Sequence, residues 1–470
     1  MRSFSTSTSS LRRKRRVRGW LLLLLALGLA IGGWGAWNAG PAPAIEILPK
    51  LPGIGRATAI EVAVAEPSRG LTSVKIELVQ GEQRALLAEQ SFRPRGPLDL
   101  FGARTERESF AVVAGKDSQA WLAPGEATVV VTAARAPGWL RAGEPAIAET
   151  RLPVRLSPPT LAVLSSQTYV APGGAETVVY RVGPGSARDG VAVGDLFFPG
   201  HPLPGGTAGE RFALFALPFD AADAAAARLV AADEIGNQAS TAFVDRFMPR
   251  PPREDTIDLE DAFLDRVVAE IRSATPDLPD KGGALANYLE INRDLRRRNA
   301  AELIAIAAKS REEFLWREPF LPLPGGKVMS SFADRRAYRY RGQIVDHQVH
   351  LGFDLASVQH APIPASNRGV VVLARYFGIY GNAVVVDHGY GLASLYAHLS
   401  SLGVTEGDRV ERGQILGRSG ATGLAGGDHL HFSFLVDGVP VSPLEWWDPH
   451  WIADRIGRKL GPALPFAAGH

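Results

Sequence analysis

The 470 residues of this chain are too many for one ordinary hydrophobic core, so several domains are expected. Its 46% hydrophobic and 21% charged residues exclude a largely disordered chain, and the absence of cysteine excludes disulfides and thiolate chemistry. Seven of the 51 basic residues lie in residues 1–18, so the rest carries 44 positive against 49 negative charges and gives no reason to expect nucleic-acid binding.

The first predicted element is a transmembrane helix at 19–39, a segment without charged residues. About 20 apolar residues span the bilayer core, and the basic segment at 1–18 indicates that the N-terminus stays in the cytoplasm. The alternative is a cleaved signal peptide, because Ala42-Pro43-Ala44 faintly resembles a cleavage site. The anchor interpretation predicts a single-pass protein of the bacterial inner membrane, with the residues after about 45 in the periplasm.

Two β-sandwich modules are predicted next, at 45–156 and 157–247. Segments rich in β-branched residues, such as 74–79 and 127–132, alternate with glycine and proline turns. A weak repeat relates the modules, because Phe-Ala precedes an apolar strand at a similar distance in each. The module size is typical of immunoglobulin-like domains, and the expected role is a spacer or a binding surface.

A short helical connector is predicted at 251–320. Apolar residues from Phe263 to Ile271 follow helical spacing, and a second helical stretch is expected from about 284 to 309. The run Arg296-Arg297-Arg298 on that stretch is interpreted as a solvated helix face. Because the connector lies directly before the C-terminal domain, it is also a candidate restraint on that domain. The predicted fold is therefore mainly β and multidomain.

Histidine placement is the strongest functional signal in the sequence. Seven of the 10 histidines lie between His347 and His431, and histidine is the commonest metal ligand. His429 and His431 flank Leu430 in a predicted strand, where side chains two residues apart share a face, so both can reach one cleft. A half-buried strand with two outward polar histidines is the alternative interpretation.

A second motif, His350-x-Gly352-x-Asp354, precedes this pair by about 75 residues. Gly352 permits a bend that would bring the imidazole and the carboxylate to one ion, and this combination of ligands suits zinc. One such match is weak by itself, but its combination with His429-x-His431 is far more specific.

Together these motifs resemble the lysostaphin/LytM-type zinc metalloendopeptidases of peptidoglycan (peptidase M23 family) over residues 325–447. The resemblance is carried by ordered blocks: Ser331-Phe332, His350-x-Gly352-x-Asp354, 381–389, 396–400, 413–417, 419–423 and 429–432. It implies a β-rich peptidase domain at 325–447 with one zinc ion held by His350, Asp354 and His431. It also implies catalytic roles for His398 and His429 beside the open fourth position of the metal.

The resemblance implies hydrolysis of peptide cross-links or stem peptides of peptidoglycan in cell-wall remodelling. His398 and His429 are expected to move protons or to stabilise the oxyanion. Peptidoglycan and the inner membrane are the expected partners, with no nucleic acid and no protein partner indicated. Two alternatives stay open: a non-catalytic LytM-type scaffold that activates other wall hydrolases, and an anchored binding protein that acts through its sandwiches.

Three further histidines and one strand motif have simpler interpretations. His347 lacks the spacing to Gly352 and Asp354, His360 lies in a proline-rich turn, and His388 is interpreted as structural. The segment 404–416 resembles the strands of biotinyl and lipoyl domains, but no lysine stands at a carrier turn. A carrier role is therefore not predicted.

Overall fold

The computed structural model describes residues 9–37, 41–93, 103–137 and 144–466, which form a mainly β, multidomain protein. The chain divides into two compact units. One consists of Met1–Pro158 with Asp233–Asn237, and the other of Pro159–Ala232 with Gln238–His470.

The first helix, α1, spans Ser9–Trp37. Within the part of the chain that the structure describes, no helix combines the length and the hydropathy needed to cross a membrane. The transmembrane helix predicted at 19–39 is therefore not supported. Residues 1–8 of the predicted basic segment and residues 38–39 of the predicted transmembrane segment lie outside the described residues.

The first unit contains a β-sandwich. Its three-stranded sheet β1-β2-β5 and its four-stranded sheet β4-β3-β6-β7 enclose one apolar core. Alternate residues such as Val74, Ile76 and Leu78 are fully buried, because successive side chains of a strand point to opposite faces. The described strands of this unit are β1 (Ala44–Pro49), β2 (Thr58–Ala65), β3 (Leu71–Gln80), β4 (Gln83–Ser91), β5 (Arg107–Ala114), β6 (Gly125–Arg135) and β7 (Ala146–Val154).

The second unit begins with another sandwich, formed by the sheets β13-β14-β10-β8 and β12-β11-β15-β16. Its apolar core continues into the C-terminal domain, where the ring of Phe212 meets that of Tyr390 at 4.9 Å. The strands are β8 (Leu161–Val163), β9 (Tyr169–Val170), β10 (Ala175–Val182), β11 (Ser186–Val193), β12 (Leu196–Pro199), β13 (His201–Pro202), β14 (Glu210–Ala216), β15 (Ala227–Asp233), β16 (Gln238–Thr241) and β17 (Arg246–Phe247).

The segment predicted as a helical connector contains a strand as well as helices. The strand β18 (Arg253–Leu259) is followed by α2 (Asp261–Ala274), α3 (Ala284–Glu290), a π-helical turn (Ile291–Leu295) and α4 (Arg296–Ala307). The helical spacing is borne out in α2, whose residues Leu264, Val267 and Ile271 are fully buried. Strand β18 was not predicted, because Ile257 and Leu259 are its only apolar residues and Arg253, Glu254 and Asp255 precede them.

The C-terminal domain is built on an eight-stranded sheet in the order β19-β22-β30-β26-β25-β24-β28, with β31 paired to β30. A three-stranded sheet, β18-β20-β21, stands beside it and contains the parallel pair β18 and β20. The strands are β19 (Lys327–Ser330), β20 (Asp334–Tyr340), β21 (Gln343–His350), β22 (Phe353–Ala356), β23 (Pro362–Pro364), β24 (Gly369–Tyr376), β25 (Asn382–Gly389), β26 (Leu392–Leu399), β27 (Ser401–Leu402), β28 (Arg409–Val410), β29 (Ile415–Arg418), β30 (Leu430–Val436) and β31 (Val439–Val441). Short helices follow: α5 (Pro443–Trp447), α6 (Pro449–Trp451) and α7 (Arg458–Leu460).

Candidate metal centre and catalytic cleft

Strand pairing brings three polar side chains to one point. Asp354 on β22 lies opposite His431 on β30 in an antiparallel pair, and directly opposed side chains share a face. His350 ends β21, and its Nε2 is 2.9 Å from Asp354 Oδ1 and 3.1 Å from His431 Nδ1. His431 Nδ1 is 3.0 Å from the same carboxylate oxygen. The three side chains thus direct one atom each toward a common point.

In His350 and His431 one ring nitrogen faces this common point and the other faces away from it. The hydrogen bond of the nitrogen that faces away determines which nitrogen of a neutral ring carries the proton. His350 Nδ1 lies 3.0 Å from the carbonyl oxygen of Ser331, which can only accept, so Nδ1 carries the proton. Ser433 Oγ donates to Leu351 O at 2.8 Å and therefore accepts from His431 Nε2 at 3.0 Å. In the neutral form of each ring the inner nitrogen is then the one without a proton, and it can present its lone pair to a metal ion.

These donors fit a zinc ion. Two imidazole lone pairs only 3.1 Å apart repel each other unless a cation lies between them. His350, Asp354 and His431 offer ligand atoms that lie within 4.8 Å of one another and form the metal-binding group found among the described residues. Two imidazoles and one carboxylate make a ligand set that suits zinc and leaves a fourth position open.

Arg336 on β20 fixes the carboxylate of Asp354. Its guanidinium donates to Oδ2 at 2.9 Å, so that Oδ1 is the oxygen that faces the histidines. Burial by itself would raise the pKa of Asp354, but the contacts with His350, His429 and His431 hold that pKa well below its ordinary value. The carboxylate is therefore ionised, as a metal ligand must be.

His398 and His429 are held in the same way beside this group. His398 Nδ1 donates to Thr422 O, and His429 Nδ1 donates to Gly427 O, both at 2.8 Å. Nε2 of each ring is therefore the nitrogen that faces the cleft, and that of His429 lies 3.4 Å from Asp354 Oδ1. Burial would lower the pKa of His429, but this contact with Asp354 raises it. The two ring centroids are 4.9 Å apart, so two imidazoles that can take up and release protons lie next to the predicted metal ligands.

A β-bulge directs His398 to this position. Leu399 pairs with Asn382 but Tyr396 pairs with Val384, so β26 has one residue more than its partner strand β25. His398 lies within this bulge with a φ of 63°, in the left-handed region that non-glycine residues rarely adopt. Bulges redirect side chains next to active sites, and strained backbone is concentrated there.

The five histidine and aspartate side chains lie in one cleft of about 370 Å³. The residues after the second sandwich form one of its walls. This wall consists of Ile257, Asp258, Glu260, Phe263, Tyr288 and Arg296. Arg336, Tyr338, Ile379, Tyr380, Leu424 and Gly426 complete the lining. Sequence pattern assigns none of these lining residues to the cleft, because β18 and β20 meet only through pairing between distant segments.

The remaining histidines of the cluster lie elsewhere. His347 lines a different cavity, and His360 is in a turn with a φ of 54° and contacts Asp428 at 3.4 Å. His388 is fully buried and donates from Nδ1 to Arg368 O at 2.6 Å. Burial lowers the pKa of His388 to about 4, so it is neutral and structural at physiological pH.

Residues 348–443 match the model of peptidase family M23. Over 123 residues the chain is 37% identical to the DD-carboxypeptidase/endopeptidase Mpg of Neisseria meningitidis, a match covering 26% of this chain and 27% of that protein. Over 119 residues it is 37% identical to the peptidoglycan DD-endopeptidase ShyA of Vibrio cholerae, covering 25% of this chain and 27% of that protein.

A solved structure, described as a putative peptidase M23 from Pseudomonas aeruginosa, shares 22% identity with this chain. The match covers 59% of this chain and 94% of that one, with a TM-score of 0.35. The chain spans about a quarter of the length of Mpg and of ShyA, and the similarity to them concerns its C-terminal domain.

Proposed function

We propose that this chain, which carries a peptidase M23 domain at its C-terminus, is a zinc-dependent endopeptidase that hydrolyses peptide bonds of peptidoglycan in cell-wall remodelling. The observation that carries the proposal is the convergence of His350 Nε2, Asp354 Oδ1 and His431 Nδ1 on one point of an open cleft. The 37% identity to peptidoglycan DD-endopeptidase ShyA supports the choice of substrate.

The side chains around the cleft have separate tasks in this proposal. A zinc ion held by His350, Asp354 and His431 would supply Lewis-acid chemistry, which polarises a scissile carbonyl. His398 and His429 face the cleft through Nε2, the atom through which an imidazole can accept a proton from the attacking water and return it to the leaving amine. Once protonated, either imidazole can also donate a hydrogen bond to the developing oxyanion.

Backbone carbonyl groups hold the rings of His398 and His429 in place. Thr422 O and Gly427 O each accept a hydrogen bond from an Nδ1, which fixes the tautomer and the orientation of the imidazole. Arg336 plays the corresponding role for Asp354 by binding the carboxylate oxygen that does not face the histidines. Such supporting contacts keep reactive groups aligned before the substrate arrives.

The proposal requires export, because peptidoglycan lies outside the cytoplasm. The basic segment at 1–18 followed by the uncharged segment at 19–39 supports export. An inner-membrane anchor at 19–39 and a cleaved signal peptide both satisfy the requirement, with the catalytic domain in the periplasm. A periplasm-dependent reporter fused after residue 50 should be active, and the mass of the mature chain should distinguish the two forms.

Digestion of purified sacculi tests the hydrolase proposal. The purified chain should release new peptide termini that mass spectrometry identifies, a chelator should stop the release, and added zinc should restore it. Unchanged sacculi, or hydrolysis that a chelator does not affect, would contradict the proposal. The scaffold alternative predicts no fragments from the chain alone but faster release by a second wall hydrolase.

A further inference from the structure

The three arginines at the start of α4 have different environments. Arg297 pairs with Asp294 and Arg298 pairs with Asp277, both on the exposed surface. Arg296 instead is half-buried and lines the catalytic cleft. The interpretation of a solvated face therefore fits only two members of the run, and Arg296 needs a separate explanation.

A π-helical turn holds Arg296 in this position. Asn292, in the turn Ile291–Leu295, is fully buried and accepts hydrogen bonds from the guanidinium through its backbone carbonyl at 3.1 Å and its Oδ1 at 2.6 Å. Its own Nδ2 donates to Asp346 Oδ2 at 2.8 Å. Buried hydrogen-bonded chains of this kind restrict side-chain motion, and π-helical turns are frequent at functional sites.

The guanidinium keeps unused binding capacity. Asn292 occupies the Nε–H and one N–H of a group that has five donors, so three remain. Among the residues that the structure describes, no carboxylate lies within ion-pair distance of Arg296. This includes the exposed Glu260, which lines the same cleft. A cation that is held in place in a cleft, and that has no acidic partner of its own, is suited to bind an anionic ligand.

Two other carboxylates that line the cleft, Asp354 and the exposed Asp258, already have arginine partners. Arg336 binds Asp354 at 2.9 Å, and Asp258 accepts a hydrogen bond from Arg339 at 2.6 Å. Among the described residues that line the cleft, Arg296 is therefore the cation that remains available to bind a substrate group.

Arg296 is also near the predicted metal ligands. All of them line the same cleft of about 370 Å³, as does Tyr380, whose ring centroid is 5.7 Å from that of His431. A ligand bound to Arg296 would consequently lie near the bond that is cut.

We propose that Arg296 binds a carboxylate of the substrate and makes the cleft selective for peptides with a free carboxylate next to the scissile bond. The proposal rests on the proposed function and narrows it. Guanidinium and carboxylate form paired, geometrically specific hydrogen bonds. Peptidoglycan stem peptides carry such free carboxylates, whereas the interior of a glycine bridge has none, so stem peptides and their direct cross-links are the favoured substrate class.

Binding measurements on the zinc-loaded full chain test this selectivity without turnover. The His398→Ala variant would be titrated calorimetrically with a stem tetrapeptide whose carboxylates are free, and with the same peptide fully amidated. The free acid should bind more tightly than the amide. Adding Arg296→Gln should weaken binding of the acid by roughly 10- to 100-fold, the scale of lost charge-assisted hydrogen bonds, and leave the amide unchanged.

Arg297→Gln is the matched control, because it removes the same charge one residue away at an exposed position. It should leave the binding of both peptides unchanged. Equal affinity of the parent for acid and amide overturns the proposal, as does an equal loss for both peptides in Arg296→Gln. If Arg296→Gln does not fold, Arg296→Lys replaces it and should keep a reduced preference for the acid; no preference would count against the proposal.

The hydrolase proposal can fail separately. A chain that binds the acid through Arg296 but releases nothing from sacculi would refute hydrolysis and still support carboxylate recognition. Release of fragments with no acid preference in binding would support hydrolysis and refute the role of Arg296.

Discussion

Arg336 donates to Oδ2 of Asp354 at 2.9 Å and thereby leaves Oδ1 as the oxygen that meets His350 and His431. Replacing Arg336 by Met should let this carboxylate rotate and should remove the positive charge that neutralises it. We expect zinc affinity to fall by about 10- to 100-fold, the usual effect of losing a contact that orients a metal ligand.

Competition with a chromophoric chelator measures this affinity. Arg335→Met is the matched control, because Arg335 is the exposed neighbour on the same strand and should leave the zinc affinity unchanged. Equal zinc affinity in the Arg336 and Arg335 variants would show that Asp354 does not depend on Arg336.

The proposed division between ligands and proton carriers predicts two classes of variant. Replacement of His350, Asp354 or His431 by Ala should remove zinc and activity together, since each supplies one of the converging atoms. His398→Ala and His429→Ala should keep the zinc content of the parent, while hydrolysis falls by roughly 10²-fold or more.

Metal content by atomic absorption and hydrolysis of sacculi would be measured on the same preparations. His347→Ala is the control, because His347 lies on the strand that ends at His350 but lines another cavity. Loss of zinc in His429→Ala or His347→Ala, together with its retention in His431→Ala or His350→Ala, would contradict the assignment.

The burial of Asp437 is expected to make the free energy of unfolding depend on pH. Asp437 forms the two-residue turn between β30 and β31 together with Gly438, and burial raises its pKa to about 7. The folded chain therefore holds this proton more tightly than the unfolded chain, whose aspartates titrate near pH 4. Stability from this group is present below about pH 4 and is lost as the pH rises to 7.

The substitution Asp437→Asn should accordingly stabilise the protein at pH 8 and give little change at pH 4. Asparagine tolerates the left-handed φ of 48° at this position. We expect a rise in Tm of roughly 2–4 °C at pH 8, which corresponds to about 1 kcal/mol for a domain of 150–250 residues. Thermal melts across this pH range would test it, with the exposed turn variant Asp195→Asn as control; a gain independent of pH would contradict the explanation.

The segment before the peptidase domain is expected to support folding. Strand β18 pairs with β20, and Leu264, Ile271 and Tyr288 share an apolar core with Ile379 of the C-terminal domain. A chain of residues 320–470 should therefore melt at a lower temperature than residues 45–470, or aggregate, because it exposes this core. It should hydrolyse sacculi no faster at equal zinc content.

The restraint hypothesis makes the opposite prediction about rate. If the shorter chain is folded and faster at equal zinc content, the segment restrains the cleft and its structural contribution is dispensable. Thermal melts and hydrolysis rates of the two chains, measured together, distinguish these outcomes.

Much of this protein follows from local sequence pattern. The buried face of α2 follows from the 3.6-residue spacing of Leu264, Val267 and Ile271, and the mainly β architecture follows from alternation between turns. His350, Asp354, His398, His429 and His431 could be singled out because the chemistry of a metal site requires particular residue types at characteristic spacings. These are properties of single segments and of side-chain chemistry.

The roles of Arg336 and Arg296 depend on tertiary structure. In the sequence, Arg296 is the first of three consecutive arginines that look equivalent. It differs from the other two because its guanidinium is hydrogen-bonded to the buried Asn292, which is itself hydrogen-bonded to Asp346. Arg336 reaches Asp354 because β20 pairs with both β18 and β21. The pairing of β18 with β20 joins residues as distant in sequence as Arg253 and Asp334. The register of such a pairing is decided by the free energy of the whole packed domain, to which local periodicity contributes only one part.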